Sequence, residues 1–275
     1  ATTPSSFTLD RNIFNGTLYT RLHDFWYAGL TPGASVSNAE VDAKWWGIGQ
    51  SQADKEAFDK ECRGNFVHAL QAVGPDEYPL PPFHSAAQDV EDAAAISHPF
   101  LQEVKDAANK GEQEAADTLI ALSVLFDQIT RNVFRDEAGL RLVYGHYDRI
   151  ALALIHASLR LSPNPVNYPP YVLRPVIRQY LLLPLMHSEH IPSHDLYMAL
   201  SESARKEVEA AGDQDAVHHI ARTVAFEEMH QVPLRKFGRY PHRNAALGRA
   251  NTDEEAEYMR TGETFGVQQS AKDEE

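Results

Sequence analysis

Along nearly the whole chain, hydrophobic positions recur at steps of three and four, the spacing of amphipathic helices. Phe14, Leu18, Leu22, Phe25 and Trp26 follow Asp10, a residue type that caps helix N-termini, and predict a first helix. Ser51 stands before Phe58, Cys62, Phe66, Leu70 and Val73, predicting a second helix that ends at Gly74. Ser85 and Ser97 each open an alanine-rich, acid-started segment, and Gly111 closes the second of them. From Glu112 a strong pattern carries Leu119, Leu122, Val124, Leu125 and Phe126 into DQITRN. Another runs from Glu137 to Leu161 through Leu140, Tyr144, Tyr147, Ala151, Leu154 and Ile155. Pro175 suits a helix start, with Val176, Ile177, Tyr180 and Leu181 following, and Pro184 predicts a break just before MHSEH. Ser201 to Ala211 and Asp215 to Phe237 predict two more helices, the latter closed by Gly238. Thr252 and Glu255 form a capping box on a last, short one.

No segment alternates with period two, so the expected fold is all-α, a compact array of roughly eight to ten helices with no sheet. A single domain over residues 1–275 is the simplest organisation. Within it, PDEYPLPPFHS predicts an exposed loop at 74–85, SPNPVNYPP an internal seam at 162–170, and GVQQSAKDEE a disordered tail at 266–275. No helix pair recurs at a fixed spacing that would define a repeat.

Composition narrows the partners. A formal net charge of −14 argues against nucleic acid, whose phosphates repel an acidic surface. The single Cys62 excludes an internal disulfide and a cysteine-rich zinc site, which fits a reducing compartment. No apolar run approaches membrane-spanning length, and the start ATTPSSFTLD lacks the basic and apolar regions of a signal peptide. The expectation is a soluble, cytoplasmic protein with neither a membrane nor a nucleic-acid partner.

One stretch reverses the sign of this acidity. From Arg235 to Arg249 lie five Lys and Arg, with His242, and no carboxylate. Such a run marks a place that holds negative charge, whether a substrate's, a partner's or the protein's own. Tyr240-Pro241 forces extended backbone after Gly238, displaying Arg239, His242, Arg243 and Asn244 from a loop. Phe237 and Leu247 want burial, and guanidinium groups packed beside them must be paired or bind an anion.

Three further groups can carry chemistry. Asp127, Gln128, Arg131 and Asn132 put Asp127 and Arg131 on one helix face, where Arg131 offers a planar fork to a carboxylate or phosphate. An ordinary helix-end ion pair is the alternative. His187, Ser188, Glu189 and His190 follow the predicted Pro184 break, and His187 suits proton transfer near neutral pH; a capping Ser188 is the plainer reading. Glu227 and His230 make one Glu-x-x-His step. Di-iron bundles use that step twice, so no metal is expected here; His230 reads instead as a base or acid, or as a core histidine satisfied by Glu227 or a backbone carbonyl. Pro192 between His190 and His194 spoils a helical metal pair.

These residues carry a resemblance. LFDQITRNVFR, LPLMHSEH and FGRYPHRNAALGR, with DFWYAGL and KWWGIG near the start, resemble the domain of unknown function 924 family, known mainly from bacterial proteins, from about Asp24 to Met259. The resemblance implies an all-helical fold grouped with tetratricopeptide-like helical superfamilies. Its characteristic positions fall on Trp26, Trp46, Asp127, Gln128, Arg131, Asn132, His187, Ser188, Glu189, His230, Gly238, Arg239, Pro241, His242, Arg243, Asn244, Leu247, Gly248 and Arg249. Ile129-Thr130 replaces the usual Phe-Pro, His190 stands where an acid is usual, and Gly74 to about Pro99 resembles an insertion.

Chemistry and resemblance pick out the same polar residues, which predicts one pocket between helices. The catalytic set is Asp127, His187, Glu189, His230 and His242; the substrate-binding set is Arg131, Asn132, Arg239, Arg243, Asn244, Arg249 and Trp46. With no nucleotide-binding glycine loop and no metal cluster in the sequence, the expected activity is cofactor-independent hydrolysis, elimination or isomerisation of a small anionic compound. A helical binding module for an acidic peptide or carboxylate terminus, and a purely structural Arg/His/Asp network, are the competing readings.

Overall fold

Among residues 7–265, which the computed structural model describes, every regular element is helical. The 266–275 tail lies outside the described residues. Helix α1 spans Gly16–Trp26, α2 Ala39–Trp46, α3 Gln52–Gln71 and α4 His98–Ala108. Helix α5 begins as Glu112–Ser123, widens into a π-helical stretch, Val124–Ile129, and ends in Thr130–Val133. Helix α6 likewise joins Glu137–Leu142, a π turn at Val143–Tyr147 and Asp148–Ser158. The second half holds α7 Pro175–Met186, α8 Ile191–Ala210, α9 Gln214–Phe237 and α10 Asp253–Thr261.

Three boundaries differ from the sequence pattern. Helix α8 begins at Ile191, ten residues before the expected Ser201, because Pro192 falls in its first turn, where a missing amide hydrogen costs no helical bond. Asp10 caps only a turn, accepting from the Asn12 amide, and α1 begins five residues later, where Asn15 accepts from the amides of Thr17 and Leu18. Pro184 does not break α7, which runs on to Met186. A proline leaves the carbonyl four residues back without its helical partner. Here that carbonyl belongs to Tyr180, and it accepts from the Ser123 hydroxyl of α5 instead. The helix therefore continues to His187, its C-cap.

One buried apolar cluster draws residues from Leu9 to Tyr197, on both sides of the 162–170 segment. Val166 of that segment is itself buried, and Arg178 of α7 donates to its carbonyl at 3.2 Å and to Asn167 Oδ1 at 2.7 Å. The 74–85 stretch is exposed apart from Gly74, half-buried Leu80 and Tyr78, whose hydroxyl reaches the Ile96 carbonyl at 2.7 Å. Trp26 and Trp45 converge on Tyr180 with ring centroids 5.6 and 5.2 Å away, and Trp45 Nε1 donates to the Trp26 carbonyl. Edge-to-face pairs of this kind add about 1 kcal/mol each beyond burial, and they fix α7 against the N-terminal helices. Helices α8 and α9 lie antiparallel: His194 meets Glu227, Tyr197 meets Thr223, and Ala204 and Val208 share a cluster with Ala216 and Ile220.

Candidate functional site

The two π segments, the C-terminus of α7 and the loop after α9 bring one polar centre together. Asp127 sits in the α5 π stretch, only 1% exposed. Inserting a residue into a helical turn re-aims the side chains around it, and such bulges recur at functional sites. Tyr144 and Asp148 come from the π turn of α6 and the residue after it. His187 ends α7, and His230 lies on α9. Gly238 ends α9 with φ +72°, a left-handed turn that glycine adopts without a Cβ penalty. The chain then extends through Tyr240 into a 3₁₀ turn, Pro241–Arg243, which delivers His242 and Arg243 to the centre.

His187 Nδ1 donates to Asp127 Oδ1 at 2.7 Å, and Gln128 donates to Asp127 Oδ2 at 2.6 Å. Arg131 forks onto Asp148, with N···O distances of 2.8 and 3.0 Å, and lies 3.5 Å from Asp127. The sequence allowed a surface pair between Asp127 and Arg131; instead both face inward, and Asp148 is Arg131's closer partner. Arg243 donates to the His187 carbonyl at 2.7 Å and stands 3.4 Å from Asp148. Its guanidinium lies between two rings, 4.4 Å from the Tyr144 centroid and 4.8 Å from that of Tyr240. His230 lies 6.1 Å from His187 ring to ring, and its Nδ1 donates to the Phe226 carbonyl at 2.8 Å. Among the described residues, His242 Nδ1 and Arg243 Nε are buried without a partner.

The charges settle as follows. Burial raises the Asp127 carboxyl, but His187 and Arg131 outweigh it and hold it at about 2. Burial, then Arg131, push His187 below its ordinary value against the pull of Asp127, so its ring is neutral at pH 7. With His187 neutral, Arg131 and the hydrogen bonds accepted by the carboxylate keep Asp127 ionised. Burial and the neighbouring His187 bring His230 to about 3; burial and the Arg243 charge bring His242 to about 2. Two arginines thus face two carboxylates, with three neutral imidazoles beside them.

Around this centre lies a closed ionic tier. Arg249 forks onto Glu189 at 2.7 and 2.8 Å, while Glu189 accepts from the Tyr240 amide at 2.8 Å. Arg239 forks onto Glu255 at 2.6 and 2.7 Å, and Asn244 bridges Asn251, Glu255 and Arg249. The carboxylates opposing Arg243, Arg249 and Arg239 are the protein's own Asp148, Glu189 and Glu255. Ser188 donates to the Leu185 carbonyl, and His190 stands at the N-terminal boundary of α8, its Nδ1 meeting the Ser193 hydroxyl at 2.8 Å rather than a backbone amide. Asn132 spends its amide on the Gln128 carbonyl and on Arg135. Trp46 is brought to Tyr180, two turns before His187, rather than to the histidines.

Glu227 does not serve His230. It turns to His194, with Nδ1 at 2.5 Å, while His194 Nε2 donates to the Ser188 carbonyl at 2.8 Å and so fixes the 187–190 loop. Sequence reading missed Asp148, Tyr144 and Glu255 as members of this assembly. The four-residue step from Tyr144 to Asp148 is a visible signal, but Tyr144 also fits the apolar face and was absorbed by it.

A cleft of about 710 Å³ lies elsewhere, walled by Arg11, Tyr19, Glu103, Lys110, Asp117 and Arg174. Its most buried carboxylate, Glu103, already accepts from Arg11 and Tyr19, and Asp117 accepts from Tyr171. Among the described residues, no group of three or more His, Cys, Asp or Glu is placed to hold a metal ion. No described helix is long and apolar enough to cross a membrane.

Fold and site together define an all-helical protein with a buried histidine–arginine centre. The chain belongs to the family described as bacterial protein of unknown function (DUF924), which matches residues 22–263. A solved protein of unknown function from Agrobacterium tumefaciens is 25% identical, covering 75% of this chain and 98% of that one, at a TM-score of 0.36. No curated protein matches the chain.

Proposed function

We propose that this chain is a cofactor-independent acid/base enzyme acting on a small anionic compound, with His187 as the proton-transfer group. The observation that carries this reading is the Asp127–His187 bond. Because Nδ1 donates to a buried carboxylate, the ring is held in the tautomer whose Nε2 keeps its lone pair. His187 Nε2 takes a proton from the substrate, the imidazolium formed is stabilised by Asp127, and the same nitrogen returns the proton to another atom or to a leaving group. His230, with Nδ1 spent on the Phe226 carbonyl, offers a second free Nε2 beside it.

An anion suits this centre although its arginines are paired. A negative charge beside depressed imidazoles favours their protonated forms, so binding draws in protons and creates the opposing charge. Arg243 Nε, unpartnered among the described residues, adds a donor. Hydrolysis, elimination and isomerisation all fit this inventory.

The outer tier supports a different role for its members. Arg239 and Arg249 are each forked onto an internal carboxylate, which favours positioning of the Tyr240–Asn244 loop over substrate contact for Glu189, Arg239, Asn244 and Arg249. The test is incubation with a broad set of small organic anions, read by mass spectrometry, comparing the wild type with His187→Gln and Arg249→Lys. Turnover lost in His187→Gln and largely kept in Arg249→Lys supports the assignment. Turnover that survives His187→Gln removes it.

A further inference from the structure

Phe265, the last described residue, is half-buried and lies on the histidine centre. Its ring stacks on His230 with centroids 3.9 Å apart and planes inclined by 22°. It stands 5.4 Å from His242 at 64°, and 6.2 Å from Tyr240 at 70°. The ring thus sits flat on one imidazole and edge-on to two other aromatic groups, beside a His242 whose Nδ1 has no partner among the described residues.

Its backbone is costly to hold there. Phe265 has φ +54°, and it is the one non-glycine residue with positive φ among those described. A bulky side chain in the left-handed region costs about 1 kcal/mol or more, so contacts elsewhere must hold it. Those contacts are the stack itself and a bond from the Phe265 amide to Glu263 Oε1 at 2.7 Å. Helix α10, from which this segment leaves, is fixed through Glu255 to Arg239 and through Tyr258 to Phe237. A strained residue just beyond the end of an anchored helix, with its ring against catalytic-type imidazoles, is built to be replaced.

We propose that Phe265 occupies a ring-binding subsite of the histidine centre, and that the compound this site takes carries a planar unsaturated ring bearing an acid group. The substrate's ring displaces Phe265 from His230, while its acid group reaches the unpartnered Arg243 Nε–H and His242 Nδ1. This inference rests on the acid/base reading for the chemistry but on the Phe265 geometry for the shape.

The test uses the full chain and two acids of equal charge and similar size, benzoate and cyclohexanecarboxylate. Diethyl pyrocarbonate modification of His230 and His242 is followed by peptide mass spectrometry, with exposed His98 as the internal reference. In Phe265→Ala the two site histidines react about threefold to tenfold faster than in the wild type, the range that loss of one aromatic stack predicts. Phe265→Leu, which keeps bulk without planarity, falls between. Benzoate protects both histidines, and does so at lower concentration in Phe265→Ala; cyclohexanecarboxylate protects weakly or not at all. Unchanged rates in Phe265→Ala, or equal protection by the two acids, overturn the proposal. Benzoate protection without turnover of any anion leaves the ring subsite standing and removes the enzyme reading; turnover confined to compounds without a planar ring does the reverse.

Discussion

His187 Nδ1 and Asp127 Oδ1 lie 2.7 Å apart, joining the end of α7 to the π stretch of α5. The carboxylate raises the proton affinity of this imidazole, against burial and Arg131, which lower it. Replacing Asp127 by Asn keeps an acceptor of the same shape and removes the charge. The His187 pKa in Asp127→Asn is expected to fall below its wild-type value, and turnover of any substrate found to fall about a hundredfold or more. Histidine NMR titration of the two proteins checks the first, and a pKa that rises or stays put contradicts it.

Ser123 and Pro184 form a second testable pair, because the Ser123 hydroxyl serves the Tyr180 carbonyl that Pro184 leaves open. Ser123→Ala strands a buried acceptor and is expected to cost about 1 to 2 kcal/mol. Pro184→Ala restores a backbone donor to that carbonyl, so in the Ser123→Ala background it recovers part of the loss. Urea unfolding of both single variants and the double variant measures the coupling; simple additivity argues against this account of the unbroken helix.

Glu189 and Arg249 hold the Tyr240–Asn244 loop through a two-pronged, partly exposed pair. Arg249→Leu leaves Glu189 short of its main partner and is expected to cost about 2 kcal/mol, less than a fully buried pair because solvent reaches both groups. The double variant Glu189→Leu/Arg249→Leu is expected to be more stable than Arg249→Leu alone, as measured by thermal unfolding. A double variant at or below the single one counts against a mainly structural pair.

Acid lability follows from the imidazoles of half-buried His230 and buried His242. In the fold His230 sits at about 3 and His242 at about 2, against an ordinary value of 6.5. Between those limits the unfolded chain binds more protons, so stability rises with pH across the window and is lost as pH falls below 6.5. Asp127 and Glu255, both at about 2, act with the same sign below their ordinary values of 3.8 and 4.5. The unfolding temperature is therefore expected to be highest near neutral pH and to drop as acid is added, with a shallower drop in His230→Gln. A midpoint that rises on acidification breaks this reading.

Much of the fold was legible because periodicity reports burial directly: the seam of Leu119, Leu122 and Phe126 is buried as its spacing predicts. Pro184 misled because the compensating hydroxyl, Ser123, lies on another helix, beyond any local rule. The π stretches were invisible for a related reason. Val124–Ile129 carries neither proline nor glycine to mark an irregular turn, and nothing in its local pattern separates a widened turn from an ordinary one. At the site, the charge reversal from Arg235 to Arg249 was plain in the sequence, but the owner of the opposing charge was not. Asp148, Glu189 and Glu255 come from three separate segments, and only the fold brings them to Arg243, Arg249 and Arg239.

If His187 is the proton-transfer group, its Nε2 carries no proton at pH 7 while Nδ1 does. Long-range proton–nitrogen NMR on histidine-labelled protein, assigned by comparison with His187→Gln, reads this directly. The predicted spectrum shows a neutral His187 ring with Nδ1 protonated and Nε2 bare. A ring protonated on both nitrogens at pH 7, or one with Nδ1 bare, would contradict the acid/base role at its source.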